Sequence, residues 1–156
     1  FEDNMTTLGE GGAVVAHNSG SRFFGCAFRN NTAITNGGAI YCSGPTIPSF
    51  EACFIFENEA RASGGGLYVD GGDLVMTDCN IDQNICGEEG GGAKFSNGES
   101  SFIRCNFDGN ASGSNGASAR SAKCKQFQRC LYCGMNFETI VDGKNENCDA
   151  RSSGRP

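Results

Sequence analysis

Short stretches of alternating apolar and polar residues recur along the chain. In each stretch a Cys is followed two positions later by Phe or Ile, a spacing that places both side chains on one face of a β-strand. The pairs are Cys26 with Phe28, Cys53 with Ile55, Cys79 with Ile81, and Cys105 with Phe107. Glycine pairs and asparagines separate the stretches, and both are typical of bends between short strands. The pattern therefore predicts an all-β chain.

Two motifs repeat in phase. The first is a bulky apolar residue, Cys three positions later, Phe or Ile two positions after that, and Asn three positions further on. Its cysteines are Cys26, Cys53, Cys79 and Cys105, and its asparagines are Asn31, Asn58, Asn84 and Asn110, so successive copies are 27, 26 and 26 residues apart. The second motif is a glycine pair followed by a small or apolar residue, and it begins at Gly11, Gly37, Gly64 and Gly91. Two motifs in constant phase indicate a tandem repeat.

A period of 26 to 27 residues predicts a right-handed parallel β-helix of about five to six coils. We expect each coil to have three sides and equivalent residues to stack about 4.8 Å apart. Two inward stacks follow, one of Phe23, Phe50, Met76, Phe102 and Phe127 and one of Phe28, Ile55, Ile81 and Phe107. The motif asparagines Asn31, Asn58, Asn84 and Asn110 are expected to form a ladder in which each amide bonds the next amide and the backbone of the bend.

The chain contains ten Cys but a single His, His17, and a single CxxC, from Cys130 to Cys133. This content favours disulfides in an oxidising compartment over a zinc site. Stacked cysteines fall inside the Cα separation of roughly 4.4–6.8 Å that a disulfide permits. The candidates for stacking or disulfide formation are Cys26, Cys53, Cys79, Cys105, Cys130, Cys133 and Cys148. The alternative is that the stacked cysteines are small buried apolar residues.

Charge and hydropathy exclude several classes of partner. A formal net charge of -6 argues against nucleic acid, and no apolar run approaches the roughly 18 residues that a membrane span needs. The acidic clusters at Asp70 with Asp73 and at Glu88 with Glu89 are interpreted as solvated bends rather than calcium ligands. We therefore predict no metal and no cofactor. Because the chain begins with Phe1, we expect it to be a processed piece of a longer protein.

The alternation of the two motifs resembles a known repeat. The segment FRNNTAITNGGAIY, which begins at Phe28, is similar to the repeat of the chlamydial polymorphic outer membrane proteins, defined by GGA(I/L/V) and FxxN. The resemblance covers roughly residues 1–120, although Ile55 and Ile81 replace the Phe of FxxN and Gly64 begins GGGL. It implies a β-helical passenger or stalk displayed outside the cell, with an adhesive or structural role and no catalytic residues.

The pattern changes near Cys124, so we predict β-helix repeats over 1–123 and a small Cys-rich segment with a flexible tail over 124–156. The run from Cys130 through Gly134 and Gly143 to Cys148 resembles the start of an ephrin-receptor-like Cys-rich module. The alternative is a disulfide-stapled cap on the last coil, which a solenoid needs for solubility.

Sequons for N-glycosylation begin at Asn4, Asn30 and Asn110, and Asn84 begins the rarer Cys form. Asn4, Asn84 and Asn110 fall on the ladder position, where the side chain is expected to be occupied internally. Asn30 lies one residue off the ladder, so we expect its side chain to point outward. The glycosylation candidates are thus Asn30, Asn110 and Asn4, with Asn30 ranked first.

Together these features predict an extracellular or cell-surface protein with a structural or adhesive role and no catalysis. One such role is that of a subunit of a surface filament or appendage. The expected partners are further copies, neighbouring domains of a longer surface protein, or glycans. The alternative is a polysaccharide lyase or hydrolase, or a carbohydrate-binding module, because many β-helices act on polysaccharides. Acid–base cleavage needs converging carboxylates, which the sequence does not place on one face.

Overall fold

The computed structural model describes residues 1–114 in full, together with the backbone of the strands at 119–121, 124–128, 131–133, 137–141 and 144–146. Residues 1–114 form a parallel β-solenoid of about four turns with a repeat of about 26 residues. The described residues are strands and bends, without a helix. The predicted all-β parallel solenoid is confirmed, with about four turns over residues 1–114.

Each turn contributes four short strands. The first turn has β1 (Met5–Thr6), β2 (Val14–His17), β3 (Arg22–Phe24) and β4 (Ala27–Arg29). The second has β5 (Thr32–Ala33), β6 (Ile40–Ser43), β7 (Ser49–Glu51) and β8 (Phe54–Phe56). The third has β9 (Glu59–Ala60), β10 (Leu67–Asp70), β11 (Leu74–Thr77) and β12 (Asn80–Asp82). The fourth has β13 (Ile85–Cys86), β14 (Ala93–Asn97), β15 (Ser100–Ile103) and β16 (Asn106–Asp108). Further strands are β17 (Ala111–Ser112), β18 (Ala119–Ser121), β19 (Cys124–Gln128), β20 (Leu131–Cys133), β21 (Phe137–Val141) and β22 (Lys144–Glu146).

Equivalent strands of successive turns pair in parallel and build four sheets. Sheet I is β1-β5-β9-β13-β17, sheet II is β2-β6-β10-β14-β18-β21-β22, sheet III is β3-β7-β11-β15-β19, and sheet IV is β4-β8-β12-β16-β20. The one antiparallel pairing is that of β22 with β21 among the strands described. Strands β19 and β20 pair in parallel with β15 and β16, so they continue sheets III and IV.

The coil has four sheets where three sides were expected, because each turn contains four bends with a residue in the left-handed region. In the second turn these residues are Gly37, Gly44, Ala52 and Glu57, with φ of 67°, 100°, 50° and 56°. Glycine adopts such a φ without strain, whereas Ala and Glu do so only at a cost. The glycine bends could therefore be recognised from the sequence. The bend between β7 and β8 could not, because it is formed by Ala52.

The core lies inside the coil and contains the predicted stacks together with buried side chains of sheet II, such as those of Leu67 and Phe95. Phe28, Ile55, Ile81 and Phe107 face inward from sheet IV and are fully buried. Phe50, Met76 and Phe102 face inward from sheet III, and rings of the two sheets meet edge to face, as at Phe102 and Phe107 with centroids 5.3 Å apart. Burying one such side chain contributes about 1.5–3 kcal/mol. The stacks therefore contribute substantially to the stability of a fold that has no second layer.

The glycine pairs lie where the chain passes close to the next turn. A Cβ on Gly38 would collide with the carbonyl oxygen of Gly65, which lies one turn further on. The amide of Gly38 donates to the carbonyl of Gly64 at 3.0 Å, so this close approach is part of the hydrogen-bonded stacking. Only glycine fits there, which explains the recurrence of the pair.

Candidate functional site: the asparagine ladder and the outward faces

A ladder of asparagines runs along the bend between sheets IV and I. Its amides are joined by Nδ2-to-Oδ1 hydrogen bonds of 2.8–3.0 Å, and its members are Asn4, Asn31, Asn58, Asn84 and Asn110. Each Oδ1 also accepts a backbone N–H from the preceding turn, for example Asn58 N to Asn84 Oδ1 at 3.0 Å. The remaining Nδ2 hydrogen reaches a main-chain carbonyl, as from Asn58 to Phe28 at 3.0 Å. The ladder thus satisfies polar groups that lie inside the coil.

Four of the predicted cysteines lie in one row at the bend between sheets III and IV: Cys26, Cys53, Cys79 and Cys105. Backbone hydrogen bonds hold this row in register, as from Asn80 N to Cys53 O at 2.9 Å and from Asn106 N to Cys79 O at 2.8 Å. Each thiol donates to the carbonyl two residues earlier, for example from Cys79 Sγ to Thr77 O at 3.2 Å. Cys53, Cys79 and Cys105 are buried and Cys26 is half-buried.

The cysteines of the described region are free thiols, and these include Cys42 and Cys86 outside the row. A hydrogen bond with Cys105, together with burial, raises the pKa of Cys79 to about 12. A hydrogen bond with Cys79 and burial also raise the pKa of Cys53. These thiols stay protonated and act as small buried groups rather than nucleophiles. Cys133 ends β20, while Cys130 and Cys148 lie outside the described residues, so disulfide formation stays a prediction.

The acidic residues are engaged in ordinary surface contacts. Asp70 Oδ1 accepts a hydrogen bond from Asn97 Nδ2 at 2.6 Å, and Asp73 Oδ1 accepts one from the Glu99 amide at 3.1 Å. Glu89 forms an ion pair with Lys94 at 2.7 Å. Within residues 1–114, no three His, Cys, Asp or Glu side chains form a group that could hold a metal ion.

Sheets III and IV carry an exposed aromatic surface that sequence reasoning missed. It comprises Phe24, which is 64% exposed, Phe54, which is 51% exposed, and Phe56. The Arg22 guanidinium lies over the Phe24 ring and that of Arg29 over the Phe56 ring, each 5.6 Å from the centroid. The sequence does show apolar residues at outward positions of the strands, such as Phe54 and Phe56 on either side of the buried Ile55. It was overlooked because these outward positions do not carry an aromatic residue in every turn.

Sheet IV also brings two carboxylates together. Asp82 and Asp108 are register partners on β12 and β16. Burial, and secondly the charge of Asp108, raise the pKa of the Asp82 carboxyl. Sequence reasoning missed this pair, although Asp82 and Asp108 directly follow the stacked Ile81 and Phe107 and are one 26-residue repeat apart.

Stacked parallel coils with an internal amide ladder and variable outward faces define a repeat protein of the β-solenoid class. Residues 25–43 match the family model described as the Chlamydia polymorphic membrane protein (Chlamydia_PMP) repeat. The chain therefore carries a repeat of this type, and the repeat is one of surface or outer-membrane-associated proteins. No curated protein and no solved structure matches the chain significantly. In the described part of the chain, no helix has the length and hydropathy to cross a membrane.

Proposed function

We propose that this chain is part of an extracellular, surface-displayed scaffold whose role is structural and adhesive rather than catalytic. The proposal rests on the contrast between the repeating interior residues of the coil and its differing outward residues. The ladder and the core repeat in every turn, whereas outward residues at equivalent positions can differ, as do Ala27, Phe54 and Asn80 on sheet IV. A constant interior with a variable exterior lets a surface protein present different contact residues without loss of the fold. The matching repeat supports the surface location.

The contact surface that we propose for adhesion is the aromatic surface of Phe24, Phe54 and Phe56 with its two arginines. Aromatic residues and arginine are the types most enriched in the energetic centres of protein interfaces. Most of the Phe24 and Phe54 side chains is open to solvent, so binding would bury apolar area without unfolding a turn. A partner would gain roughly 25 cal/mol for each Å² of apolar surface removed from water.

Adhesion is tested by immobilising the full chain and measuring its binding to cells, extracellular-matrix proteins and a glycan array. We expect the double variant Phe24→Ser/Phe54→Ser to lose at least tenfold in binding. Ile85→Ser is the matched control, because Ile85 is 53% exposed but lies on sheet I. Absence of binding to every one of these surfaces, or an equal loss in the control, would contradict the adhesive role.

Self-association and an outer location are checked separately. Sedimentation velocity of the purified chain over a range of concentrations tests self-association, and a single monomeric species throughout would contradict it. Antibodies raised against the chain are expected to label intact, unpermeabilised source cells. Labelling that requires permeabilisation would contradict surface display.

Polysaccharide cleavage is the second candidate function, and the observation that favours it is the Asp82–Asp108 pair. Two carboxylates in adjacent strands, one with a raised pKa, are the elements that acid–base hydrolysis uses. Under the structural proposal, incubation with acidic and neutral polysaccharides releases no reducing or unsaturated ends. Release that disappears in Asp82→Asn would replace the structural proposal with the enzymatic one.

A further inference from the structure

The chain has four N-glycosylation sequons in its described residues, and the structure separates them into two groups. Asn4, Asn84 and Asn110 are members of the ladder, whereas Asn30 is not. Glycan attachment replaces one hydrogen of the side-chain Nδ2, so the amide keeps a single N–H donor. The Nδ2 hydrogens already used at each asparagine therefore indicate where the folded chain can carry a sugar without losing a hydrogen bond.

The ladder asparagines depend on the group that glycosylation would consume. Asn84 Nδ2 donates both to the carbonyl of Ile55 at 2.8 Å and to Asn110 Oδ1 at 3.0 Å, and Asn84 is fully buried. Asn4 Nδ2 donates to the carbonyl of Glu2 at 3.1 Å and to Asn31 Oδ1 at 2.9 Å. A sugar at either position would break one of these two hydrogen bonds.

Asn110 is held in the ladder by different bonds. Its Nδ2 donates to the carbonyl of Ile81 at 2.7 Å, and its Oδ1 accepts both the amide and the Nδ2 of Asn84. These three bonds hold the side-chain amide in the ladder, and Asn110 is half-buried, whereas Asn30 is exposed.

Asn30 lies outside the ladder. It is exposed, and its φ of 51° puts it at the left-handed bend where the chain turns outward after β4. Its Nδ2 donates to Asp3 Oδ1 at 2.6 Å, and one hydrogen serves this bond while the other can be replaced. The sequon hydroxyl belongs to Thr32, which begins β5 on the outward side because the next residue, Ala33, is fully buried.

We propose that Asn30 is an N-glycosylation site of this protein, used when the chain passes through a compartment that holds an oligosaccharyltransferase. The co-substrate is a lipid-pyrophosphate-linked oligosaccharide. The Asn30 Nδ2 forms a bond to the anomeric carbon, the bond from that carbon to the pyrophosphate oxygen breaks, and Nδ2 gives up one proton. The lipid pyrophosphate leaves with the electron pair, so no oxidant or reductant is needed. The remaining N–H continues to donate to Asp3.

The test is secretion of the full chain from a eukaryotic cell line, followed by enzymatic deglycosylation in H₂¹⁸O and peptide mass spectrometry. Deglycosylation converts each glycosylated Asn to ¹⁸O-labelled Asp and so marks the occupied sites. We expect the label at Asn30 and none at Asn4, Asn84 or Asn110 in the folded, secreted protein. A secreted chain without a glycan at Asn30, or with a glycan at a ladder asparagine, would overturn the proposal.

A matched pair of variants separates the sequon from the side chain of Asn30. Thr32→Ala removes the hydroxyl that the transferase needs and leaves Asn30 in place, whereas Thr32→Ser keeps the sequon. We expect the loss of intact mass on deglycosylation to disappear in Thr32→Ala and in Asn30→Gln, and to persist in Thr32→Ser. A mass loss that persists in Thr32→Ala would show that the glycan is elsewhere. Circular dichroism of each variant confirms that the solenoid has formed.

Discussion

Asn58 and Asn84 lie one turn apart and are joined by two hydrogen bonds, because Asn84 Oδ1 accepts both the Nδ2 of Asn58 at 2.8 Å and its backbone amide at 3.0 Å. This fork fixes the rotation of the side chain as well as the spacing of the turns. Repeated along the coil, it makes the stability of each bend depend on the amide of the next turn. The ladder is therefore a cooperative element rather than a set of separate contacts.

Asn58→Ala is expected to destabilise the fold by about 3 kcal/mol or more. The substitution removes the acceptor of the Asn31 amide and Nδ2 and the donor to the Phe28 carbonyl, all inside the coil. A buried polar group that loses its partner costs about 1–3 kcal/mol. Urea unfolding followed by circular dichroism measures the change. Asn80→Ala, on the outward side of the same turn, serves as control and should change stability by less than about 0.5 kcal/mol.

The bend between sheets III and IV offers a reciprocal test of backbone strain. Ala52 has a φ of 50°, and the equivalent residue of the first turn is Gly25, with a φ of 61°. A left-handed residue other than Gly costs about 1–2 kcal/mol, part of which the greater freedom of Gly in the unfolded chain offsets. We expect Ala52→Gly to raise the free energy of unfolding by about 0.5–1 kcal/mol.

Gly25→Ala is the reverse substitution and is expected to lower the free energy of unfolding by about the same 0.5–1 kcal/mol. No atom lies within 4 Å of a Cβ built at Gly25, so the cost would come from φ alone and not from a collision. Thermal unfolding of both variants beside the parent checks the pair. A change of the same sign in the two variants would contradict the strain argument.

The aromatic core and the aromatic surface should respond differently to truncation. Phe102 is fully buried and meets both Phe95 and Phe107 edge to face, at 5.5 Å and 5.3 Å. Phe102→Ala is expected to cost about 3–5 kcal/mol through lost burial and the cavity left behind. Phe24→Ala should stay within about 0.5 kcal/mol of the parent because most of the ring is already in water. Denaturant midpoints of the two variants measure the contrast.

The Asp82–Asp108 pair predicts a pH dependence with a definite sign. Since burial raises the pKa of Asp82 in the folded state, the native protein holds this proton more tightly than the unfolded chain. Stability from this group is therefore present below the unfolded pKa of about 3.9 and is lost as the pH rises through the folded pKa. We expect Asp82→Asn to be more stable than the parent at pH 7 by about 0.5 kcal/mol, after allowance for solvent screening. The difference should vanish at about pH 3.

Asp78→Asn is the control of opposite sign. The hydrogen bond from Arg104 lowers the pKa of the Asp78 carboxyl, so that carboxylate stabilises the fold above its unfolded pKa and the benefit is lost as the pH falls. The variant is expected to be less stable than the parent at pH 7 and to approach it in acid. Unfolding curves across the pH range follow both variants, and the same sign in both would contradict the assignment.

The thiol row predicts a graded reactivity. Only the thiolate reacts with alkylating reagents, and burial together with the raised pKa keeps Cys53 and Cys79 protonated. In the folded, reduced protein at pH 8, iodoacetamide should modify the half-buried Cys26 well before Cys53 or Cys79. Peptide mass spectrometry with and without denaturant measures the order in which the cysteines are modified. Rapid labelling of Cys79 in the native state would show that the row opens in solution.

The spacing of the motifs in the sequence was enough to predict most of the fold. The repeat of 26 to 27 residues, the alternation around each Cys and the glycine pairs are enough to set the turn length, the inward stacks and the closest approach of neighbouring turns. They suffice because identical positions of a parallel solenoid must lie on top of one another. The asparagine row and its amide-to-amide bonds followed from the same constraint, whereas the individual carbonyl partners, such as that of Phe28 for Asn58, come from the structure.

Other features were decided only by contacts between turns. The fourth sheet exists because Ala52, Asp78 and Arg104 adopt a positive φ, which their residue types disfavour and which the stacking of neighbouring turns imposes. The aromatic surface arises from outward side chains of strands that are far apart in the chain. The sequence by itself thus determined the period and the interior, since these repeat with the chain. The tertiary structure decided the bends, the outward surfaces and the freedom of the Asn30 amide, since each of these depends on what the adjacent turn brings within reach.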